Sequence, residues 1–160
     1  MRTVGQFLRA IIVSLPLCLM PVLRPLNLIA ADSEPTALRC LALTVYWEAR
    51  ADGRKAMEAV GWVVLNRVKN PDFPDSVCQV VREGGEKSPC QFSYWCDGQP
   101  DEPKNEDAWA EAREVAARLL NKPSADPTGG ALFYHAVGVT PNWAREHKRT
   151  VIIGRHVFYR

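Results

Sequence analysis

From Leu38 to Ala49 the chain is apolar at almost every position, interrupted only by Arg39, Thr44 and Glu48. Leu38, Leu41, Ala42, Val45 and Ala49 recur at helical spacing, and Cys40, Leu43 and Trp47 make a second apolar face. A helix that is apolar nearly all round is a buried one, so this segment is expected at the centre of the fold. Thr44 and Glu48, four residues apart, form its one polar stripe, which is expected to line a cleft. Asp52-Gly53 then makes a turn, and a second helix is predicted from Arg54 to Lys69, with Ala56, Ala59, Val60, Val63 and Val64 on one face and Asn70-Pro71 as its stop. The pair forms an αα-hairpin with Glu48 near its tip.

Further along, Ser76 is placed to cap a short helix running through Arg82. A third long helix is predicted from Asn105, with Glu106 and Asp107 suited to its positive end. Its stripe is Ala108, Trp109, Ala112, Val115, Ala116, Leu119 and Leu120, and Asn121 and Pro123 end it. After the turn Asp126-Pro127-Thr128-Gly129-Gly130 the period changes. Ala131 to His135 and Val151 to Tyr159 are rich in branched and aromatic residues and read as short strands. The expected class is α+β, mainly α, with a small β-hairpin or sheet.

Residues 1–31 alter the charge and compartment reading. Arg2 and Arg9 precede an apolar run from Ala10 to Leu23, and small residues follow at Ala30 and Ala31, the layout of a signal peptide. The run is short for a membrane span and contains Pro16 and Pro21; left uncleaved, it would act as an anchor. Residues 32–36 then serve as a linker to a domain at 37–160, exported to the periplasm or cell envelope. The whole chain has 20 basic and 18 acidic residues, but three of the basic ones (Arg2, Arg9 and Arg24) lie in the leader. The remainder carries a net charge of −1, without the basic footprint of a nucleic-acid binder. Outside the leader Cys40, Cys78, Cys90 and Cys96 remain, an even number that suggests two disulfides with three pairings open. There is no Cys-x-x-Cys, and the Cys90 to Cys96 spacing is not that of a zinc site.

Candidate chemistry centres on Glu48. Burial among Val45, Tyr46 and Trp47 would disfavour its charged form and raise its pKa, as a general acid for a glycosidic bond requires. The plainer reading is a salt bridge to Arg50 or Arg54 at a helix end. Between Cys90 and Cys96, Gln91, Ser93 and Tyr94 are candidates to hydrogen-bond a bound substrate or developing charge. Trp95 and Phe92 are candidates to stack on sugars, with core packing preferred for Phe92. Asn66 and Arg67 either touch substrate or cap the second helix. His135 either faces the cleft or packs, while Trp143 and His156 read as scaffold. Asp52, Glu58 and Asp97 sit in polar or exposed contexts and make unconvincing second carboxylates. A zinc peptidase would need His135, His147 and His156, whose spacings match no His-x-x-x-His pattern. A Cys-His peptidase using Cys90 and His135 competes with the simpler disulfide reading.

Tyr46-Trp47-Glu48-Ala49-Arg50, Asn66-Arg67, Cys90-Gln91-Phe92-Ser93, Gly130-Ala131-Leu132-Phe133-Tyr134-His135, Pro141-Asn142-Trp143-Ala144 and Ile153-Gly154-Arg155-His156-Val157-Phe158 occur in this order. Together they resemble successive blocks of the spore cortex-lytic, SleB-type cell-wall hydrolases, over about residues 37–160. The resemblance implies a lysozyme-like fold, peptidoglycan glycan strands as substrate and Glu48 as the catalytic glutamate. The turn after Glu48 departs from the family, which usually has a glycine and a second acid directly after the arginine. Here Asp52 stands in that region. One shielded glutamate without a convincing partner favours a lytic transglycosylase, cutting between N-acetylmuramic acid and N-acetylglucosamine, over a hydrolytic muramidase. An amidase, or a peptidoglycan-binding protein of this fold with weak turnover, is the alternative. No cofactor or metal is indicated. A monomer is expected, meeting membrane only through an uncleaved leader.

Overall fold

The computed structural model describes residues 36–85 and 90–160; the leader and, except for Thr36, the linker lie outside the described residues. Five helices come before a small sheet and the strands. They are α1 (Ala37–Ala49), α2 (Arg54–Lys69), α3 (Val77–Val81), α4 (Ser93–Cys96) and α5 (Glu106–Asn121), followed by β1 (Phe133–Ala136), a 3₁₀ turn (Asn142–Arg145), β2 (Arg149–Ile153) and β3 (His156–Tyr159). The strands are antiparallel in the order β1-β3-β2.

α1 is the central helix. Cys40 through Tyr46 and Ala49 are all buried, because α2, α3 and α5 pack round it. Fully buried Leu41, Val45 and Val60 each contribute roughly 1.5–3 kcal/mol by leaving water. Thr36 caps α1 by accepting from the Arg39 amide, and Asn105 caps α5 by accepting from Ala108. In α2, Gly61 lets its neighbours come close: a Cβ there would overlap Leu119 Cδ1 and lie 3.3 Å from Val45 Cγ1. Cys40–Cys78 joins α1 to α3, and Cys90–Cys96 closes the loop around α4. Of the three pairings left open by the sequence, this one is present.

Two sequence expectations are corrected by the packing. Thr44 does not share a cleft-lining stripe with Glu48; it is fully buried, bonds the Cys40 carbonyl and meets the Tyr94 hydroxyl at 3.0 Å. The segment Val151 to Tyr159 is two strands, not one. It turns at Gly154-Arg155, with Gly154 at φ 58° in the first central position of a two-residue hairpin. That hairpin lies against the α1–α2 turn: a Cβ on Gly154 would sit 3.1 Å from Asp52 Cβ and 3.2 Å from Ala56 Cβ.

Candidate active site

Glu48 sits one residue before the end of α1, where the hairpin turn opens the helix to a cleft of about 640 Å³. Its side chain is half-buried, reaching the cleft with protein filling most of the space around it. Burial raises the Glu48 pKa, and a hydrogen bond donated by the Tyr134 hydroxyl to Oε2 at 2.9 Å partly offsets the rise. Tyr134 is itself held protonated well beyond the usual phenol range, by burial first and then by the Glu48 charge. Tyr46 and Trp47, expected to shield the carboxyl, turn their polar atoms towards the segment that leads into α5. Tyr46 accepts from the Lys104 and Asn105 amides, and Trp47 donates to the Asp101 carbonyl, so both serve the α5 side.

The cleft wall opposite α1 is strand β1. Tyr134 points inward and packs on His156 and Phe158, with ring centroids 5.3 and 5.7 Å away. Phe133 and His135 alternate to the other face of the strand, against Trp143, His147 and Tyr159, and also line the cleft. As an edge strand, β1 also exposes backbone. The bond from the Val137 amide to the Arg155 carbonyl sets the ladder phase, so Phe133 and His135 pair with β3. The amide and carbonyl of Tyr134 therefore face away from β3, beside the cleft. On that same edge the Leu132 carbonyl accepts from Arg67 Nε at 2.8 Å.

Arg67 organises the floor. It is buried, with its guanidinium 5.2–5.7 Å from the rings of Phe73, Phe92 and Phe133, and it donates to Gln91 Oε1 at 2.9 Å. Burial lowers its pKa from the ordinary value. Neither Arg67 nor Asn66 is chiefly a helix cap. Asn66 ties α2 to the turn before β1, donating to Asp126 Oδ2 at 2.9 Å and to the Ala131 carbonyl at 3.1 Å.

Glu48, Arg67, Gln91, Ser93 and His135 thus line one cleft, with Phe92, Trp143, His147 and His156. Tyr94 and Trp95 do not. They border a smaller cavity on the far side of α1 with Arg82, whose guanidinium lies 4.8 Å over Trp95. Asn66 is likewise outside the cleft lining. Trp143 and His156, read as scaffold, reach it, and so does His147. All three histidines line the cleft, but no group of three His, Cys, Asp or Glu side chains among the described residues could hold a metal ion. Both His135 nitrogens are engaged, Nδ1 with the Ala136 carbonyl and Nε2 with the Tyr159 hydroxyl, each at 2.9 Å.

Asp52 departs most from its sequence reading. Of the polar or exposed setting expected, only the polar part is found: its side chain is only 6% exposed. Arg155 Nε donates to Oδ1 at 2.5 Å, and His156 Nδ1 lies 3.4 Å from Oδ2. With Glu48, Asp52 lines an adjoining cavity of about 500 Å³. Sequence reasoning saw a turn acid without its burial, since the covering hairpin lies about a hundred residues further on. Tyr134 was legible as part of a strand end that could face the cleft, but its bond to Glu48, which spans 86 residues, was not.

The sequence profile of the family described as cell wall hydrolase matches residues 51–159, a span that begins just after Glu48. The spore cortex-lytic enzymes of Halalkalibacterium halodurans and Bacillus subtilis are both 34% identical, over 81% and 76% of this chain. The chain spans about a third of their length, 36% in each case. The solved catalytic domain of the germination-specific lytic transglycosylase SleB from Bacillus anthracis is 30% identical, with a TM-score of 0.65 over 82% of this chain and 98% of that one. The catalytic domain of the Bacillus cereus SleB protein gives 30% and 0.60 over 78% and 89%.

Proposed function

The chain belongs to the cell wall hydrolase family, and from that premise we propose that it cleaves peptidoglycan glycan strands as a lytic transglycosylase with Glu48 as its acid and base. The observation that carries the reading is the protonation-favouring burial of Glu48 on the cleft wall, with one donor among the described residues, Tyr134, on its carboxylate. A protonated Glu48 delivers its proton to the oxygen between N-acetylmuramic acid and N-acetylglucosamine as that bond breaks. The resulting carboxylate, steadied by the Tyr134 hydroxyl, takes the proton of the muramoyl 6-hydroxyl as that oxygen attacks C1. The products are a 1,6-anhydro end and a new glucosamine end, and Glu48 is protonated again.

A hydrolase of the usual two-carboxylate kind needs a second acid free to activate water or attack C1. Asp52 is near enough to share a cavity with Glu48, and that favours hydrolysis as the second reading. Its ion pair with Arg155 and its approach to His156 argue that it holds the hairpin instead. The Tyr134 backbone amide and carbonyl are offered to N-acetyl groups, together with the exposed Gln91 and Ser93. Trp143 and His135 supply an aromatic wall for a sugar ring. Residues 1–31 act as the export signal in this reading.

Mass spectrometry of the soluble products from purified peptidoglycan, beside a Glu48→Gln control, tests the proposal. Anhydro ends that vanish in the variant are expected. Reducing ends would transfer the role of base to Asp52, and cut peptides on intact glycan would overturn the reading.

A further inference from the structure

Charge is unevenly divided along the described domain. Residues 36–126 carry 12 basic and 15 acidic side chains, whereas residues 127–160 carry five basic ones and a single acid, Glu146. Of the five, Arg155 is paired with Asp52. Arg145, Lys148, Arg149 and Arg160 are exposed and have no ion-pair partner among the described residues. The fold gathers them at one end of the sheet. Lys148 and Arg160 exchange both backbone hydrogen bonds, at 3.0 and 2.9 Å. Arg149 lies opposite Tyr159, which in turn lies opposite Phe133 on the cleft wall. Arg145 stands on the 3₁₀ turn between Trp143 and His147, both of which line the cleft.

Neighbouring like charges repel, and no ion pair among the described residues compensates these four. We propose that this basic end of the sheet binds the carboxylates of the stem peptide on the glycan strand held in the cleft. The inference rests on the proposed glycan-cleaving function and names the part of the substrate that the sugar-facing residues leave unread. A strand running past Glu48 and along β1 reaches Phe133 and His147, and the cations lie just beyond. Their continuity with the cleft favours a group on the bound strand over an anionic lipid surface, which would need no alignment with the cleft.

The test uses the triple variant Arg145→Gln/Lys148→Gln/Arg149→Gln, none of whose positions is in the acid–base machinery. Its kcat/KM is compared with that of the parent on strands bearing stem peptides and on strands stripped by an amidase, at low and high salt. The parent is expected to favour peptide-bearing strands by roughly fivefold at low salt, as a few exposed ion pairs allow, and to lose the preference as salt screens them. The variant should lose the preference while cleaving stripped strands at the parent rate. The same changes in a Glu48→Gln background should weaken retention on peptide-bearing strands only. That binding difference without any glycan cleavage by the parent would sink the catalytic reading and leave the basic site standing. Equal slowing on both strand types, no preference in the parent, or a loss confined to vesicles of anionic phospholipid would each overturn the proposal.

Discussion

In the proposed reaction Glu48 keeps a proton at a pH where a glutamate in water has lost it, and burial, which raises its pKa, is the physical means. The same burial has a cost in stability. A carboxyl whose folded pKa is raised contributes its full share below the unfolded value, about 4.3, and loses it as pH rises through the folded value. Glu48→Gln should therefore lower turnover by about 10²–10⁴-fold yet melt higher than the parent at pH 8, with the gap closing towards pH 4. Thermal melts across that range read it; a variant that melts lower at pH 8 would mean the Glu48 charge is stabilised rather than penalised. Tyr134→Phe removes the donor that favours the charged form. The alkaline limb of the pH–rate profile should then move to higher pH as kcat falls, and an unmoved limb would separate Tyr134 from the titrating group.

At the scale of elements, the β2–β3 hairpin is the piece that completes the site. Its tight turn seats Gly154 on the α1–α2 corner, bringing Arg155 and His156 to Asp52 and packing His156 on Tyr134. Gly154→Ala asks an L-residue to hold φ 58° within 3.2 Å of two side chains and should cost about 1–3 kcal/mol in urea unfolding. Wild-type stability would show that the corner yields freely. Asp52→Asn loosens the same clamp. With Asp52 as a positioning residue, the variant should turn over more slowly but still release anhydro ends, and abolition of all glycan cleavage would make it a catalytic partner. The long helices were legible from periodicity, since α2 and α5 each present one continuous apolar face, whereas the one-turn helix α4 (Ser93–Cys96) is too short to show a period and was not foreseen. Nor was the hairpin, because Val151 to Tyr159 is equally branched and aromatic on both sides of its turn, and only pairing divides it.

For the whole molecule, the two disulfides do different work. Cys40–Cys78 spans 38 positions and in the chain-entropy picture stabilises by about 4 kcal/mol; Cys90–Cys96 spans 6 and stabilises by about 2 kcal/mol. Replacing the first pair with serine should lower Tm more, as calorimetry would read. Replacing the second should lower activity more, because its loop carries Gln91 and Ser93 into the cleft. The reverse order on either readout would detach that loop from the site. His156 adds a dependence at low pH. Burial lowers its pKa, against the pull of Asp52, so its contribution is present above the unfolded value and lost as pH falls through the folded one.

By itself the sequence determined the α+β class, the central place of the first helix, the place of Glu48 beside a cleft and the number of disulfides. These follow from local spacing, composition and the even count of cysteines, which a linear reading can see. Only the tertiary structure decided which groups meet Glu48, which cysteines pair, that Asp52 is buried, and that Thr44 and Tyr94 face away from the cleft. Each of those outcomes depends on contacts between residues far apart in the chain. There, packing chooses among partners that local sequence leaves equally available.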